Sequence, residues 1–375
     1  MAGIYLHIPF CKRRCSYCAF YSSTGSGFQE RYVKALCREI EKRRLYIIGN
    51  IETIYLGGGT PTTLSHHQLK TIIDTIKDNY NIMPDAEITI EANPDDLSYD
   101  KLLELKSLPF NRLSIGIQSF NDRQLERLGR RHTAQQAREA VMNAKKAGFT
   151  NISIDLMFAL PSSNNKEWQE DLENAISLSP THISAYNLTY EEGTPLYKAM
   201  QEGNITPLNE DGNLEQFETL ISKLEKAGYQ QYEISNFAIP GYESRHNSSY
   251  WHDIPYIGCG AAAHSYNGKS RQWNIADIEM YCKGIEKEKP CYDIEYLTLE
   301  EQYNDAVLTR LRTKEGVPLG WLKDKFGNKL YDFMISSAQP HIKSGKLLIG
   351  NNHLFLSRDG IFISDAIIRD LIYVD

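Results

Sequence analysis

The chain has 375 residues, of which 24% are charged and 41% hydrophobic, so it has room for one large folded domain and a smaller one. Its 41 basic and 48 acidic residues give a formal net charge of −7, which argues against a nucleic-acid-binding protein. The sequence contains no apolar run near the roughly 20 residues of a transmembrane helix, and its start lacks the basic region of a signal peptide. We therefore expect a cytoplasmic protein.

Strand-like and helix-like segments alternate over the first 235 residues. Apolar patterning predicts strands at 4–8, 53–56, 87–91, 112–117, 151–156 and 182–188. Helical spacing and capping residues predict helices at 28–46, 65–78, 98–105, 133–147 and 165–178, with a short helix after Asn121. Strands that each precede a helix should be parallel neighbours, so we predict an α/β fold with a partial (β/α)6 TIM-like barrel over 1–235. A closed eight-strand barrel would need two further units that the sequence does not offer.

The pattern changes after residue 235. Residues 236–297 are rich in Gly, Pro, Tyr and Asn without a clear period, and they predict a connector that packs at the barrel mouth. Helical segments then lead to a hairpin with an Asn-Asn turn and a last helix, which predicts a small winged-helix-like α+β domain over 298–375. This domain has as many acidic as basic residues, so we expect a lid or a protein contact rather than DNA binding.

Three cysteines, Cys11, Cys15 and Cys18, follow the first predicted strand. Thiolates are soft ligands, and iron–sulfur clusters are held almost entirely by cysteine. Three ligands from one loop would leave one iron of a four-iron cluster open. A zinc site would need a fourth ligand such as His7 or a second cysteine pair, and the other cysteines are isolated: Cys37, Cys259, Cys282 and Cys291.

Every predicted strand ends at residues with polar or ligand chemistry. These residues are the cysteine loop, Gly57–Pro61, Glu91, Gln118, Asp155 and Thr189. The carboxyl ends of parallel strands meet at one edge of the sheet, where α/β proteins bind their ligands. The sequence therefore predicts a ligand site at this edge.

The motifs at these positions resemble those of the radical S-adenosylmethionine (SAM) superfamily. CxxxCxYC after the first strand and GGGTP after the second carry the resemblance, and YLHIPF, EANP, RLSIGIQSFN, LGRRH and DLMFALP extend it to the coproporphyrinogen dehydrogenase-like branch. The resemblance implies a [4Fe–4S] cluster on Cys11, Cys15 and Cys18, with SAM on the fourth iron. The residues that it implies for SAM are Tyr5, Tyr17 (main chain), Gly58, Gly59, Thr60, Glu91, Gln118, Arg130 and Asp155.

These SAM residues have chemical reasons beside the resemblance. Glu91 and Asp155 can accept hydrogen bonds from ribose hydroxyls, and Arg130 can pair with the SAM carboxylate. Gly57–Gly59 lack Cβ atoms, so their backbone can approach the SAM amino group closely.

Two kinds of protein within this branch compete. The oxygen-independent coproporphyrinogen III oxidases carry a further cysteine, CxxxCxxCxC, where this chain has Phe20, and a longer segment before the cluster. These departures resemble the haem chaperones of the branch. They imply a protein that binds haem and passes it to haem-requiring respiratory proteins. Oxidative decarboxylation and a radical SAM methyltransferase acting on a tetrapyrrole remain alternatives, and whether SAM is cleaved stays open.

The haem chaperones resembled here carry a histidine in an HNxxYW motif, which matches His246. Haem iron takes an imidazole axial ligand, and Tyr250 and Trp251 could flank the macrocycle. The resemblance implies His246 as the haem ligand, with His252 and His264 as alternates. The implied partners are haem acceptors and an electron donor for the cluster, with peripheral membrane contact through those partners.

Overall fold

The computed structural model describes residues 2–25 and 27–374. The strands are β1 (Ala2–Ile8), β2 (Ile51–Gly58), β3 (Ile82–Ala92), β4 (Arg112–Gln118), β5 (Asn151–Phe158), β6 (His182–Asn187), β7 (Gln230–Glu233), β8 (Asn236–Ala238), β9 (Tyr256–Cys259), β10 (His264–Tyr266), β11 (Ser270–Asn274), β12 (Tyr292–Tyr296), β13 (Val317–Pro318), β14 (Leu347–Gly350) and β15 (His353–Leu356). The helices are α1 (Gln29–Lys42), α2 (His66–Asn79), α3 (Tyr99–Lys106), α4 (Asp122–Arg127), α5 (Ala134–Lys146), α6 (Asn165–Ser177), α7 (Pro195–Gln201), α8 (Glu210–Lys226), α9 (Arg245–Trp251), α10 (Ile278–Glu286), α11 (Leu299–Arg310), α12 (Leu319–Lys343), α13 (Arg358–Ile361) and α14 (Ser364–Asp370).

A large sheet has the strand order β12-β11-β10-β9-β1-β2-β3-β4-β5-β6-β8-β7. Strands β1 to β6 are parallel neighbours in chain order. The six predicted strands and the α/β half-barrel class are therefore confirmed. The side chains of Ser65, Ser98 and Thr133 each accept a hydrogen bond in the first turn of α2, α3 and α5, and they thereby cap these helices.

The two faces of the half-barrel differ in chemistry because side chains alternate along a strand. In β1, Ile4 and Leu6 are fully buried in the apolar core beneath the helices. Tyr5 and His7 point to the concave face, where their polar atoms bond to each other. The concave face is thus lined by polar and aromatic side chains, and it leads to the carboxyl ends of the strands.

Residues 236–297 are more regular than the sequence predicts. Strand β8 pairs antiparallel with β6, whereas β9 pairs parallel with β1, so this segment extends both ends of the sheet. Strands β10 to β12 continue it as antiparallel neighbours. Strands of three to five residues are too short to show a clear alternation, which explains why the sequence pattern missed them.

The C-terminal residues form a second, small core around α11 and α12. Gly327, with φ +79°, interrupts α12 and separates two helical segments, which the sequence predicts at 318–324 and 329–343. The hairpin of β14 and β15 turns at Asn351 and Asn352, whose φ values of 50° and 62° suit a type I′ turn. In the described part of the chain, no helix has both the length and the apolar character needed to cross a membrane.

Candidate cofactor site at the barrel mouth

The cysteine loop and the glycine loop are joined by backbone hydrogen bonds. Gly59 N donates to Ile8 O at 2.9 Å, and Thr60 N donates to Phe10 O at 2.8 Å. The Thr60 hydroxyl also lies 3.6 Å from the Sγ atom of Cys11. The end of β2 therefore positions the first cysteine directly.

Glycine is required where these loops meet. Gly58 has φ +104°, and a Cβ atom there would lie 2.5 Å from the His7 ring. A Cβ atom on Gly59 would lie 2.8 Å from Ile8 O and 2.9 Å from the backbone of Phe10. The glycines thus let the two loops of the chain pack against each other. The sequence did not reveal this second reason for glycine at these positions.

The three clustered thiols interact electrostatically. Cys11, Cys15 and Cys18 are half-buried and carry no disulfide. Burial raises the pKa of the Cys11 and Cys18 thiols, and charge on Cys15 raises both pKa values further. The three sulfurs are therefore near enough to repel one another as thiolates, and a cationic cluster would relieve that repulsion.

A single-metal site does not fit this arrangement. Among residues 2–25 and 27–374, no three His, Cys, Asp or Glu side chains are arranged around one ion. His7, the candidate fourth zinc ligand, donates from Nε2 to Tyr21 O at 2.9 Å, and its Nδ1 lies 3.1 Å from the Tyr5 hydroxyl. A cluster does not require such convergence, because each cysteine then binds a different iron.

Arg130 connects the cysteine loop to two strand ends. Its Nη1 donates to Cys15 Sγ at 3.4 Å, and its Nη2 donates to Asn93 Oδ1 and Gly116 O, each at 2.5 Å. Its Nε is buried and has no hydrogen-bond partner among the described residues. Asn93 donates in turn to the Thr60 hydroxyl at 2.9 Å. A buried guanidinium with an unused donor fits an anionic ligand such as the SAM carboxylate.

Two carboxyl groups face the inside of the barrel below this level. Glu91 accepts from the Tyr55 hydroxyl at 2.6 Å and from Gly58 N at 3.2 Å, and burial raises its pKa to about 7. Asp155 accepts from the Ser114 hydroxyl at 3.4 Å, and burial raises its pKa to about 6. Both border a polar cavity of about 50 Å³. These two acceptors suit the ribose hydroxyls that the resemblance assigns to them.

The remaining predicted SAM residues lie within β1 (Tyr5), in the cysteine loop (Tyr17) and at the end of β4 (Gln118). The Tyr5 ring stacks on Tyr55 at 6.2 Å. Tyr17 packs against a small apolar cluster that includes Leu128. Gln118 has φ +70° at an irregularity between β4 and β5, and its amide adjoins Gly116 beside Arg130.

Some residues of this site could not be recognised from the sequence patterns. They are Asn93, Tyr55 and Ser114, which hold Arg130, Glu91 and Asp155 in place. Asn93 lies in the EANP motif, so a signal for it was present. Tyr55 and Ser114 lie inside strands, where only the register reveals their neighbours.

His246, the residue that the motif implies as the haem ligand, is hydrogen-bonded within the protein through both ring nitrogens. His246 is buried on α9, where its Nδ1 lies 2.8 Å from the Thr53 hydroxyl and its Nε2 2.8 Å from the Tyr250 hydroxyl. Its ring stacks on Tyr55 at 5.0 Å, and burial lowers its pKa to about 3. In this arrangement the His246 imidazole is neutral, and its assignment as the haem ligand stays a prediction.

The two alternate histidines differ from each other. The Nδ1 atom of His252 bonds to Ser248 O at 2.8 Å, and its Nε2 lies 3.1 Å from a Glu315 carboxylate oxygen. His264 is exposed and stacks on Trp273 at 6.2 Å. His252 is thus engaged within the protein, whereas His264 faces solvent.

A cysteine loop joined to a glycine loop at the carboxyl ends of a parallel half-barrel defines this chain as a radical SAM protein. Residues 5–175 match the Radical SAM superfamily model, and residues 297–363 match the HemN C-terminal domain. The chain belongs to the HemW family. It is 36% identical over 376 residues to heme chaperone HemW of Bacillus subtilis (strain 168), covering 98% of each chain.

Two further comparisons agree with this assignment. Heme chaperone HemW of Escherichia coli (strain K12) is 39% identical over 267 residues, covering 70% of this chain and 69% of the relative. The structure of coproporphyrinogen III oxidase (HemN) from Escherichia coli, a radical SAM enzyme, superposes with a TM-score of 0.86 at 22% identity, covering 99% of this chain and 90% of that one. This likeness shows that the fold extends through both domains.

Proposed function

We propose that this protein is a haem chaperone of the HemW type, which binds haem and transfers it to haem-requiring proteins. The observation that carries the proposal is the similarity to HemW along essentially the whole chain. A feature of the cysteine loop agrees with it. Phe20, which stands where the resembling oxidases carry a further cysteine, is 71% exposed on that loop. This position therefore supplies no fourth thiolate.

In this proposal Cys11, Cys15 and Cys18 hold a [4Fe–4S] cluster at the barrel mouth. The SAM residues are those named from the motifs, with Arg130 on the carboxylate and Glu91 and Asp155 on the ribose. When bound and reduced, such a cluster can supply an electron for cleaving SAM. The chain itself contributes orientation and charge, because Arg130 contacts Cys15 and still has a buried donor for the ligand.

Reconstitution under anaerobic conditions tests the cluster assignment. We expect Cys15→Ala to abolish the visible charge-transfer absorption and the electron paramagnetic resonance signal of the reduced cluster. Cys37→Ala is the matched control, since Cys37 is also half-buried but lies on α1. Equal cluster content in Cys15→Ala and Cys37→Ala would contradict the assignment of Cys15 as a cluster ligand.

Ferric haem titrated into the full chain, with and without the cluster, tests the function itself. We expect saturable haem binding, followed by transfer to an apo-haem protein mixed in afterwards. The reduced protein should leave coproporphyrinogen III unchanged in the presence of SAM. Oxidative decarboxylation at catalytic rates would instead make the protein an oxidase, and the absence of haem binding would reject the chaperone.

A further inference from the structure

Strand β12 forms the outer edge of the large sheet, with β11 as its neighbour. All five of its residues, Tyr292–Tyr296, are exposed. An edge strand presents unpaired N–H and C=O groups to which another extended chain can bond, and proteins usually interrupt such edges with a proline or a bulge. Strand β12 contains no proline, and its register with β11 is regular along its whole length. It can therefore accept one more strand.

The backbone of β12 alternates between its neighbour and the open side. In an antiparallel pair, every second residue bonds to the adjacent strand. Leu297 N donates to Lys269 O at 3.0 Å, and Ile275 N donates to Cys291 O at 2.8 Å, so the odd-numbered residues of β12 bond to β11. The N–H and C=O groups of its even-numbered residues consequently point away from the sheet.

The side chains of β12 form two rows with different chemistry. Residues two apart on a strand share a face, so Tyr292, Ile294 and Tyr296 form an apolar row, and these side chains are between 42% and 75% exposed. Asp293 and Glu295 form an acidic row on the other face. A strand that pairs with β12 would thus meet an apolar row on one face and an acidic row on the other.

The acidic row has no counter-charge within the protein. Neither Asp293 nor Glu295 forms an ion pair with any residue of 2–25 or 27–374. Arg271 stands directly opposite Glu295 on β11, but it pairs with Asp305 of α11. Opposite charges that face each other across two strands are stabilising. Lysine or arginine at alternate positions of an incoming strand would supply them.

A second copy of this chain fits the edge poorly. Antiparallel pairing of β12 with itself about Ile294 would put Asp293 of each copy opposite Glu295 of the other. A shift of the register by two residues would put Asp293 or Glu295 opposite its own copy. Like charges directly opposite each other are destabilising, so the acidic row disfavours self-pairing and favours a basic strand.

We propose that β12 is a docking strand for a partner protein that presents an extended segment of alternating basic and apolar residues. The segment adds one strand to the sheet, because its main chain bonds to the even-numbered residues of β12. Its apolar side chains lie on the apolar row and its cations on the acidic row. This inference adds a protein-docking surface to the proposed function and depends on neither the cluster nor haem.

A heptapeptide that alternates lysine and valine, with both ends blocked, is the probe for the full chain. We expect saturable binding that weakens as salt increases, and slower amide exchange at Tyr292, Ile294 and Tyr296 when the peptide is bound. The matching peptide of glutamate and valine should bind at least tenfold more weakly. Absence of binding, or equal affinity for the two peptides, would overturn the proposal.

A proline substitution tests strand addition itself. Ile294→Pro removes an N–H group that β11 does not use, so the sheet should keep its own hydrogen bonds. We expect the variant to bind the lysine peptide at least tenfold more weakly. Ile349→Pro, at an exposed position of the edge strand β14, is the matched control and should bind like the wild type. Equal affinities for the two variants would overturn the pairing.

A charge exchange tests the acidic row without altering the backbone. Asp293→Lys combined with Glu295→Lys should reverse the preference, so that the glutamate peptide binds more tightly than the lysine peptide. An unchanged preference would overturn the role of the acidic row. Sedimentation velocity tests the other occupant, since a wild-type dimer that Ile294→Pro abolishes would make a second copy the partner and overturn the proposal. Haem titration is a separate measurement, so these failures leave the chaperone proposal intact.

Discussion

Arg130 shows at the scale of one residue how the mouth is organised. A single guanidinium reaches a cysteine sulfur, a side-chain amide and a backbone carbonyl, each from a different loop or strand. Its planar fork makes several contacts in fixed directions, which the single ammonium group of lysine cannot reproduce. The positive charge alone therefore does not explain why residue 130 is an arginine.

We predict that Arg130→Lys weakens SAM binding at least tenfold while the cluster still assembles. Lysine keeps the charge but loses the geometry, and hydrogen bonds to charged groups are worth about 1.5–3 kcal/mol. Calorimetric titration of SAM into reconstituted protein measures the effect. Arg131→Lys is the control, because Arg131 pairs with Asp95 on the surface next to it. Equal SAM affinity in both variants would contradict the role given to Arg130.

His246 offers a second prediction at this scale, from its lowered pKa of about 3. In the unfolded chain its pKa returns to about 6.5, so the unfolded state binds the extra proton between these values. The contribution of His246 to stability is therefore complete above pH 6.5 and is lost as the pH falls toward 3.

The measurement compares wild type with His246→Asn by urea unfolding. Between pH 6.5 and pH 5, we expect the wild type to lose about 2 kcal/mol relative to the variant. If the free energies of unfolding of the wild type and of His246→Asn changed in parallel with pH, His246 would have to be exposed and free to ionise.

At the scale of an element, two glycines that flank β2 allow a test of the glycine loop. Gly58 combines a positive φ with a close contact to His7, whereas Gly49 has φ +129° and open space where a Cβ atom would lie. We expect Gly49→Ala to cost about 1–3 kcal/mol from backbone strain alone. Gly58→Ala should cost a further 1–3 kcal/mol or so from the clash, and it should impair cluster assembly.

Chemical denaturation of both variants, with cluster content measured in parallel, checks this pair. The comparison isolates packing from conformation because both glycines lie in the left-handed region. Equal costs and equal cluster content would mean that the contact with His7 is unimportant.

At the scale of the whole molecule, a few polar contacts join the C-terminal domain to the sheet. Asp253, just after α9, accepts from the Tyr266 hydroxyl and from the Lys325 ammonium of α12. Its φ of 62° is one that asparagine also adopts readily. Asp253→Asn therefore removes the charge without straining the backbone.

We predict that Asp253→Asn loosens the docking of the C-terminal domain, with faster amide exchange along α12. The loss of a hydrogen-bonded charge is worth about 1.5–3 kcal/mol. Asp359→Asn, whose carboxylate pairs with Lys346 within the same domain, is the control and should leave exchange in α12 unchanged. Identical exchange in α12 for both variants would show that Asp253 does not hold the domain.

Much of this protein was determined by local sequence patterns. The six parallel strands, the caps at Ser65, Ser98 and Thr133, and the Asn351–Asn352 turn follow from periodicity and backbone preference, which depend on neighbours in the chain. The cysteine and glycine motifs predicted the site because each closes a strand of one parallel sheet, whose strand ends must meet.

Other features were decided only by the tertiary structure. The strands of 236–297 are too short to show a period, and their pairing with β1 and β6 depends on contacts far along the chain. The same holds for histidines. A motif selected His246, but only the folded chain shows that Thr53, far away in sequence, and Tyr250 bond its two ring nitrogens. Burial and hydrogen bonding decide whether an imidazole is available, and both are properties of the folded chain.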